Sequence, residues 1–488
     1  MNIPRTMSTQ HPDNVRAPFF AANHVLAGDD EIKEAFYAYS NLKIKEQLWD
    51  FEGKDVDSSV VRKLLSKYEP FFKEKQLGKD IRLTYRVPNP GVSGKEGKIL
   101  LETLESIPRS TDVARAFYGD DVAPIFEVTV PMVTDAKSII RISEYYKRFV
   151  VGKEKKSLFE GDQPISSWIG EFFPKSVNVI PLIEDKTSML NAANIVEEYV
   201  NHEKVQEYQR VWLARSDPAL NYGSTSAVLI EKIALQRLHH LSEKISLPIH
   251  PMLGCGSAPF RGNFKPTNVG MNMKAYPSVR TFTLQSAFKY DYDESLVKKA
   301  VQEIEDTPVR SPLVVDEEKI LPIIDKIGEA YMKQVSVLAP LINEFSSFIP
   351  SRRKRKLHIG LFGYSRSSGG VSLPRAIKFC ATLYSLGLPP DLLGLHVLDG
   401  KDVDAISEVY PSFFYDLKDA CQFVNVENFS MFPESIQEQI CKAMELVDFA
   451  VHEDHKRVSS LIGSSFRHRK LGVTDLVEEA GWMRGFLG

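Results

Sequence analysis

The chain is poor in cysteine, with four among 488 residues: Cys255, Cys380, Cys421 and Cys441. They are widely spaced and form no CxxC pair, which argues against a structural zinc or a disulfide framework. Long apolar runs are missing as well. No stretch reaches about 18 uninterrupted apolar residues, the length that reads as a membrane span. The N-terminus, MNIPRTMSTQHPDNVRAPFF, has no signal-like apolar core. Neither sign of charge is in excess. The formal net charge is −3, so nothing global points to nucleic acid or to a membrane surface. There is no low-complexity segment and no short-period repeat. The expectation is a soluble, cytoplasmic protein in a reducing compartment.

What is present suffices for a large core. The chain is 43% apolar and 26% charged, which suits one big α/β barrel with additions or two to three domains. Short β-branched runs alternate with amphipathic stretches, a βα pattern. Strand candidates fall near 82–87, 125–133, 177–183, 210–214, 246–252, 281–286, 357–364 and 394–398. Eight of them predict a (β/α)8 TIM barrel elaborated with many additional α-helices. The chain reads as a single catalytic domain, 1–488. Residues 1–78 form an N-terminal segment and helices, with DDEIKEAFYAYSNLKIKEQLWD and VDSSVVRKLLSKYEPFFKEK as two helical pieces. The barrel with helical insertions covers 79–400, and a helix-rich extension covers 401–488.

The chemistry is expected where strands end. SVNVIPLIEDK (176–186) is a buried-strand pattern that delivers Glu184, Asp185 and Lys186 together. ARSDPALNYG puts Asp217 just past another candidate strand. Two carboxylates on one rim are what a Mg²⁺ or Mn²⁺ site needs, although either alone also reads as a solvated loop acid. Arg86, Arg215, Arg261, Arg366 and Arg375 stand at strand-to-loop transitions. Arginine is the bidentate partner of phosphate and carboxylate; a lone arginine reads first as a salt-bridge residue, and a group of them next to glycines less so. The loops GCGSAPFRG and GYSRSSGG let backbone N–H groups approach an anion. Neither is a P-loop or a dinucleotide fingerprint. His11 is held out of a helix by Pro12. Either it folds back over a site or it belongs to a polar terminus. His250 reads as a packed histidine, and Cys255 has no His/Asp partner to make it a nucleophile. The run RRKRK (352–356) reads as a solvated face or subunit contact, with a nucleic-acid or scaffold role as the competing reading.

Taken together and in order, MSTQHPDN, ARSDPALNYG, LGCGSAPFRGNF, LHIGLFGYSR and LPRAIKF resemble phosphoenolpyruvate carboxylase, in the short archaeal-type form also found in some bacteria. The likeness runs from residue 7 to residue 379. It implies a (β/α)8 barrel with added helices, assembled as a homo-tetramer without nucleic acid or membrane. It also implies the conversion of phosphoenolpyruvate and bicarbonate to oxaloacetate and phosphate, via carboxyphosphate and a metal-bound enolate, with Mg²⁺ or Mn²⁺. By this resemblance PLIE places the metal-binding glutamate at Glu184, and ARSDPA places the aspartate at Asp217. QHP gives the catalytic histidine at His11. GYSR and GGVSLPRAIKF give catalytic arginines at Arg366 and Arg375. LTYRVPNP points to Arg86 and TLQSAFKYDY to Gln285, both near substrate with Arg215 and Lys186. The long form's glycine-rich arginine loop, HGRGGxxGRGG, is altered here to GCGSAPFRGN. Its second arginine corresponds to Arg261, while its histidine and first arginine have no counterpart. The lysine of the long form's SDSxKD motif is also absent, leaving Lys186 or Lys265 to supply that charge. The competing enzyme reading is another barrel lyase or aldolase acting on enolpyruvate or 2-oxo acids.

Overall fold

A computed structural model of the chain describes residues 3–10, 18–23, 25–54, 56–92, 97–350, 366–368, 371–468 and 472–485, with the backbone alone at 366–368. Eight parallel strands close into a barrel in sequence order. They are β1 (Thr6–Ser8), β2 (Glu46–Asp50), β3 (Arg82–Arg86), β4 (Glu127–Val130), β5 (Asn178–Ile183), β6 (Gln209–Ala214), β7 (Ile249–Gly254) and β8 (Thr281–Leu284). Closure is made by β1, which pairs with β2 on one side and β8 on the other, Thr6 opposite Phe282 and Ser8 opposite Leu284.

The strand count holds and six of the expected strands are present, but two members differ. β1 and β2 lie within 1–78, the stretch read as an N-terminal segment and helices, so the barrel strands begin before residue 79. The helix expected through DDEIKEAFYAYSNLKIKEQLWD stops at Ser40, and Lys43 turns the chain with φ 60° into β2. The run at 394–398 is a 3₁₀ turn, Leu395–Val397. Gly394 sits at φ +87° there, and a Cβ on it would lie 2.8 Å from the Ile327 carbonyl oxygen. That close approach and handedness replace a strand start with a tight turn. The candidate at 357–364 lies outside the described residues.

Side chains inside the barrel form layers. At the N-terminal ends of the strands, Arg210 donates to Glu46 at 2.7 and 2.8 Å and to Glu127 at 3.0 Å. Arg82 donates to Glu127 at 2.8 Å and Thr84 to Glu46 at 2.6 Å. These charges are fully buried and mutually neutralising, the condition under which burial is tolerated. Above them lies an apolar plug of Met7, Leu48, Ile180, Leu182, Trp212 and Met252. The outward positions, including Trp49, Tyr85, Val128, Val211 and Phe282, join one continuous core under the surrounding helices. With the interior blocked, chemistry is expected at the C-terminal rim of the strands.

Among the described residues after β8, the regular structure is helical apart from the short hairpin of β9 (Arg366–Ser368) and β10 (Val371–Leu373). Among the described residues, no helix is long and apolar enough to cross a membrane.

Candidate active site

At the rim, β2 ends in Asp50 and β3 in Arg86, which are direct partners across the ladder. Arg86 donates through Nε to Asp50 Oδ1 at 2.7 Å and through Nη2 to Asp50 Oδ2 at 2.5 Å. The ammonium of Lys54 also binds Asp50, and Glu52 stands 3.2 Å from Arg86. Gln10, just past β1, accepts the Asp50 N–H at 2.8 Å and ties the first strand into the cluster. Burial by itself would lower the Arg86 pKa. Asp50 and Glu52, with a smaller contribution from Glu184, hold it above the ordinary arginine value. Burial likewise works against the Asp50 charge, yet Arg86 and Lys54 keep its carboxyl well below the usual range. Arg86 is thus a fixed cation whose Nη1 edge is not used by Asp50.

Glu184 leaves β5 directly after Ile183, beside the end of β6, because Ile183 pairs with Leu213. It is 7% exposed and close enough to Arg86 to act on its charge. Asp217 lies in the first turn of the helix Ser216–Tyr222, which β6 enters through Arg215. The two carboxylates therefore come from neighbouring strands on the same rim. An oxygen-donor pair of this kind fits Mg²⁺ or Mn²⁺, which take few protein oxygens and keep the other positions for water and substrate.

The third component is the loop after β7. Cys255–Phe264 folds on itself, with Gly256 N–H donating to the Arg261 carbonyl at 2.8 Å and Phe264 N–H to the Gly256 carbonyl at 2.9 Å. A Cβ at Gly256 would lie 2.8 Å from Arg261 Cζ, so glycine is what lets the guanidinium fold over the loop. Arg261 is 2% exposed and donates to Ser216 Oγ at 3.1 Å and to Gln285 Oε1 at 2.8 Å. One arginine thereby joins the ends of β6, β7 and β8, next to Asp217. Helices of the 401–488 extension brace the loop from behind. Asn263 donates to Asp416 at 2.7 Å, Lys265 pairs with Asp419 at 2.6 Å, and the Ser257 hydroxyl donates to the Gly485 carbonyl.

Of the other expected site residues, Arg215 and Lys186 are engaged by partners outside this cluster. Arg215 is fully buried, turned behind the rim onto Ser224 Oγ at 3.0 Å and towards Glu231 at 3.9 Å. Lys186 pairs with Asp325 of the long helix Glu317–Phe345. Together with the Lys265–Asp419 pair, this leaves both lysines considered for the missing charge engaged by carboxylates. Arg375 is exposed at the start of the helix Ala376–Ser385. Arg366 opens β9 opposite Leu373, and only its backbone is described. His11 lies outside the described residues, three positions after Ser8 in the chain. His250 sits in the lower half of β7 against the Tyr208 ring, where burial followed by Arg280, Arg210 and Arg82 lowers its pKa to about 4. Burial pushes the Cys255 thiol far up, away from nucleophile chemistry.

A family model described as phosphoenolpyruvate carboxylase matches residues 3–488. Among curated relatives, the phosphoenolpyruvate carboxylases of Methanospirillum hungatei and Methanothermobacter thermautotrophicus are each 49% identical over 489 residues, covering all of both chains. That of Pyrococcus furiosus is 52% identical over 422 residues, covering 86% of this chain and 88% of its own. The chain belongs to the phosphoenolpyruvate carboxylase family. These relatives are archaeal and match it in length, in line with the short form indicated by the sequence motifs.

Sequence reasoning missed part of this rim: Asp50, Glu52, Lys54, Gln10 and Ser216. A usable signal was present. LWDFEGK delivers acids and a lysine directly after an apolar pair, as PLIEDK does at Glu184. It was hidden by reading EQLWD as the end of a helix.

Proposed function

We propose that this chain carboxylates phosphoenolpyruvate with bicarbonate, giving oxaloacetate and phosphate, and works as a homo-tetramer. The observation that carries the reading is the pair of pre-positioned arginines, Arg86 and Arg261, flanking Glu184 and Asp217 on the rim of the closed barrel. The substrate is a trianion, and its charge moves from phosphate to enolate and carboxylate as it reacts. Guanidinium groups that are already oriented stabilise that moving charge without reorganising.

In this mechanism a bicarbonate oxygen attacks phosphorus and the enol C–O–P bond breaks, leaving carboxyphosphate and the pyruvate enolate. His11 takes the carboxyphosphate proton, so that it breaks into CO₂ and phosphate. The C3 carbon of the enolate then attacks CO₂ and forms oxaloacetate. Arg366 and Arg375 hold phosphate and carboxyphosphate oxygens. Arg86 holds the substrate carboxylate side through the edge that Asp50 leaves unused. Arg261, steadied by Ser216 and Gln285, retains the intermediates and excludes water. Glu184 and Asp217 would hold Mg²⁺ or Mn²⁺, which would supply Lewis-acid stabilisation of developing negative charge. Arg215, held by Ser224 and Glu231, and Lys186, held by Asp325, act here as supports of the rim.

The test is a malate-dehydrogenase-coupled assay with phosphoenolpyruvate, bicarbonate and divalent metal, repeated after chelation, with sedimentation to count subunits. Bicarbonate-dependent oxaloacetate formation that stops on chelation is expected. Phosphate or pyruvate release independent of bicarbonate would point instead to another enolpyruvate lyase and end the proposal.

A further inference from the structure

Away from the rim, the helices that follow β4 and β5 bring a second set of metal-binding side chains together. The helix Ala136–Tyr145 ends with Ser143 and Glu144, and the helix Ala192–Glu203 ends with His202 and Glu203. Both helices run back from the rim, so their C-terminal ends lie beside the strand starts. Tyr199, one turn from the end of the second helix, donates to Asn178 at the start of β5 at 3.4 Å. The site is therefore at the end of the barrel opposite Glu184 and Asp217.

His202 Nε2 lies 3.6 Å from Glu144 Oε1 and 3.9 Å from Glu203 Oε1, and all three ligand atoms lie within 4.8 Å of one another. Such separations are too long for hydrogen bonds. They are close to the spacing of ligands around one ion, since donors about 2.0–2.1 Å from a tetrahedral zinc stand about 3.4 Å apart. The second observation concerns Glu203. Its side chain is 7% exposed, yet Oε1 is buried and accepts no hydrogen bond. Its other oxygen is satisfied by the Ser143 hydroxyl at 2.8 Å and by the Lys147 ammonium. Glu144 is held in the same manner, with Oε2 on Arg148 Nε at 2.5 Å. Glu203 is thus oriented through Oε2 and offers Oε1, while Glu144 Oε1 also lies 3.5 Å from the Lys147 ammonium, which a bound ion would displace. The C-terminal dipole of the helix Ala192–Glu203 favours a cation at this point, and His202, 44% exposed, leaves a path for entry.

We propose that Glu144, His202 and Glu203 form a second divalent-metal site, of zinc-like nitrogen and oxygen ligation with one open position. It would staple the two helices together and take no part in the carboxylation chemistry. Lys147 and Arg148 beside it moderate the affinity, so exchangeable binding is expected rather than a permanently held ion.

The test uses the full-length protein stripped with chelator and kept in saturating Mg²⁺. Zinc chloride is titrated by calorimetry, and cobalt(II) is followed by its tetrahedral visible absorption. One equivalent should bind with the same affinity in the wild type and in Glu184→Gln. It should weaken at least about a hundredfold in His202→Ala, whose exposed side chain is not needed for folding and whose magnesium-dependent activity should match the wild type. Glu203→Gln should abolish the tetrahedral cobalt signal. Unchanged zinc binding in His202→Ala, no binding in the wild type, or loss confined to Glu184→Gln would each overturn the proposal.

Discussion

Asp50→Asn is the most informative single change at the rim. The Asp50 carboxylate is fully buried and accepts from Arg86 twice and from Lys54. An amide of the same size removes the charge and leaves two buried cations facing it. Removing one partner of a buried pair costs about 3–5 kcal/mol. Glu52 remains 3.2 Å from Arg86, so the lower end, about 3 kcal/mol, is expected. Unfolding entropy of about 2.1 cal/mol/K per residue over 488 residues gives about 1 kcal/mol per degree. One cooperative transition would therefore melt about 3 °C lower. The folded pKa of Asp50 is depressed. Its contribution is thus fully present above the unfolded value near pH 4 and is lost as pH falls further. The gap between variant and wild type should be constant from pH 6 to 8 and narrow only below about pH 4. The assay is differential scanning fluorimetry across that range, with KM for phosphoenolpyruvate expected to rise about tenfold as Arg86 loses its splint. A variant that melts within about 1 °C of wild type at pH 7, or whose gap has already closed at pH 6, would refute the reasoning.

Three further outcomes can be checked with the same preparation. His11→Asn should keep phosphoenolpyruvate binding but lose oxaloacetate formation in the coupled assay; full carboxylation would contradict its role. Glu184→Gln and Asp217→Asn should each raise the Mn²⁺ concentration needed for half activation by about a hundredfold, and an unchanged activation curve would remove both from the metal site. Gly256→Ala places a Cβ 2.8 Å from Arg261 Cζ, so kcat should fall by about 10²-fold with little change in melting temperature; wild-type turnover would show that Arg261 need not lie against that loop.

The outer parts of the barrel were legible because β3 to β8 present aliphatic or aromatic residues to the surrounding helices. Two strands were not. β1 is three residues long and carries no period. β2 has Glu46 and Asp50 facing the barrel interior while Gln47 and Trp49 face outward, which inverts the rule that strand interiors are apolar. The reversal is possible because Arg82, Arg86 and Arg210 on other strands neutralise those acids, a long-range fact that no local window contains. The same limit applied at the site. Glu184, Asp217, Arg261 and Gln285 followed apolar runs and could be named. The inward burial of Arg215 depends on Glu231 and Ser224 in the next helix, and the engagement of Lys186 depends on Asp325, more than a hundred residues away.

The strand that closes the barrel is also the earliest of its eight strands in the chain. Thr6–Ser8 finds one neighbour at Glu46 and Gln47 but the other only at Phe282–Leu284. At about 5–20 residues per second, the nascent segment leaves the ribosome with one ladder edge unpaired for tens of seconds. Such an edge invites foreign strands, so this chain has reason to depend on chaperones early in translation. His11 follows that same strand by three residues. On the role proposed for His11, turnover would therefore begin only after the two ends of the cylinder have met.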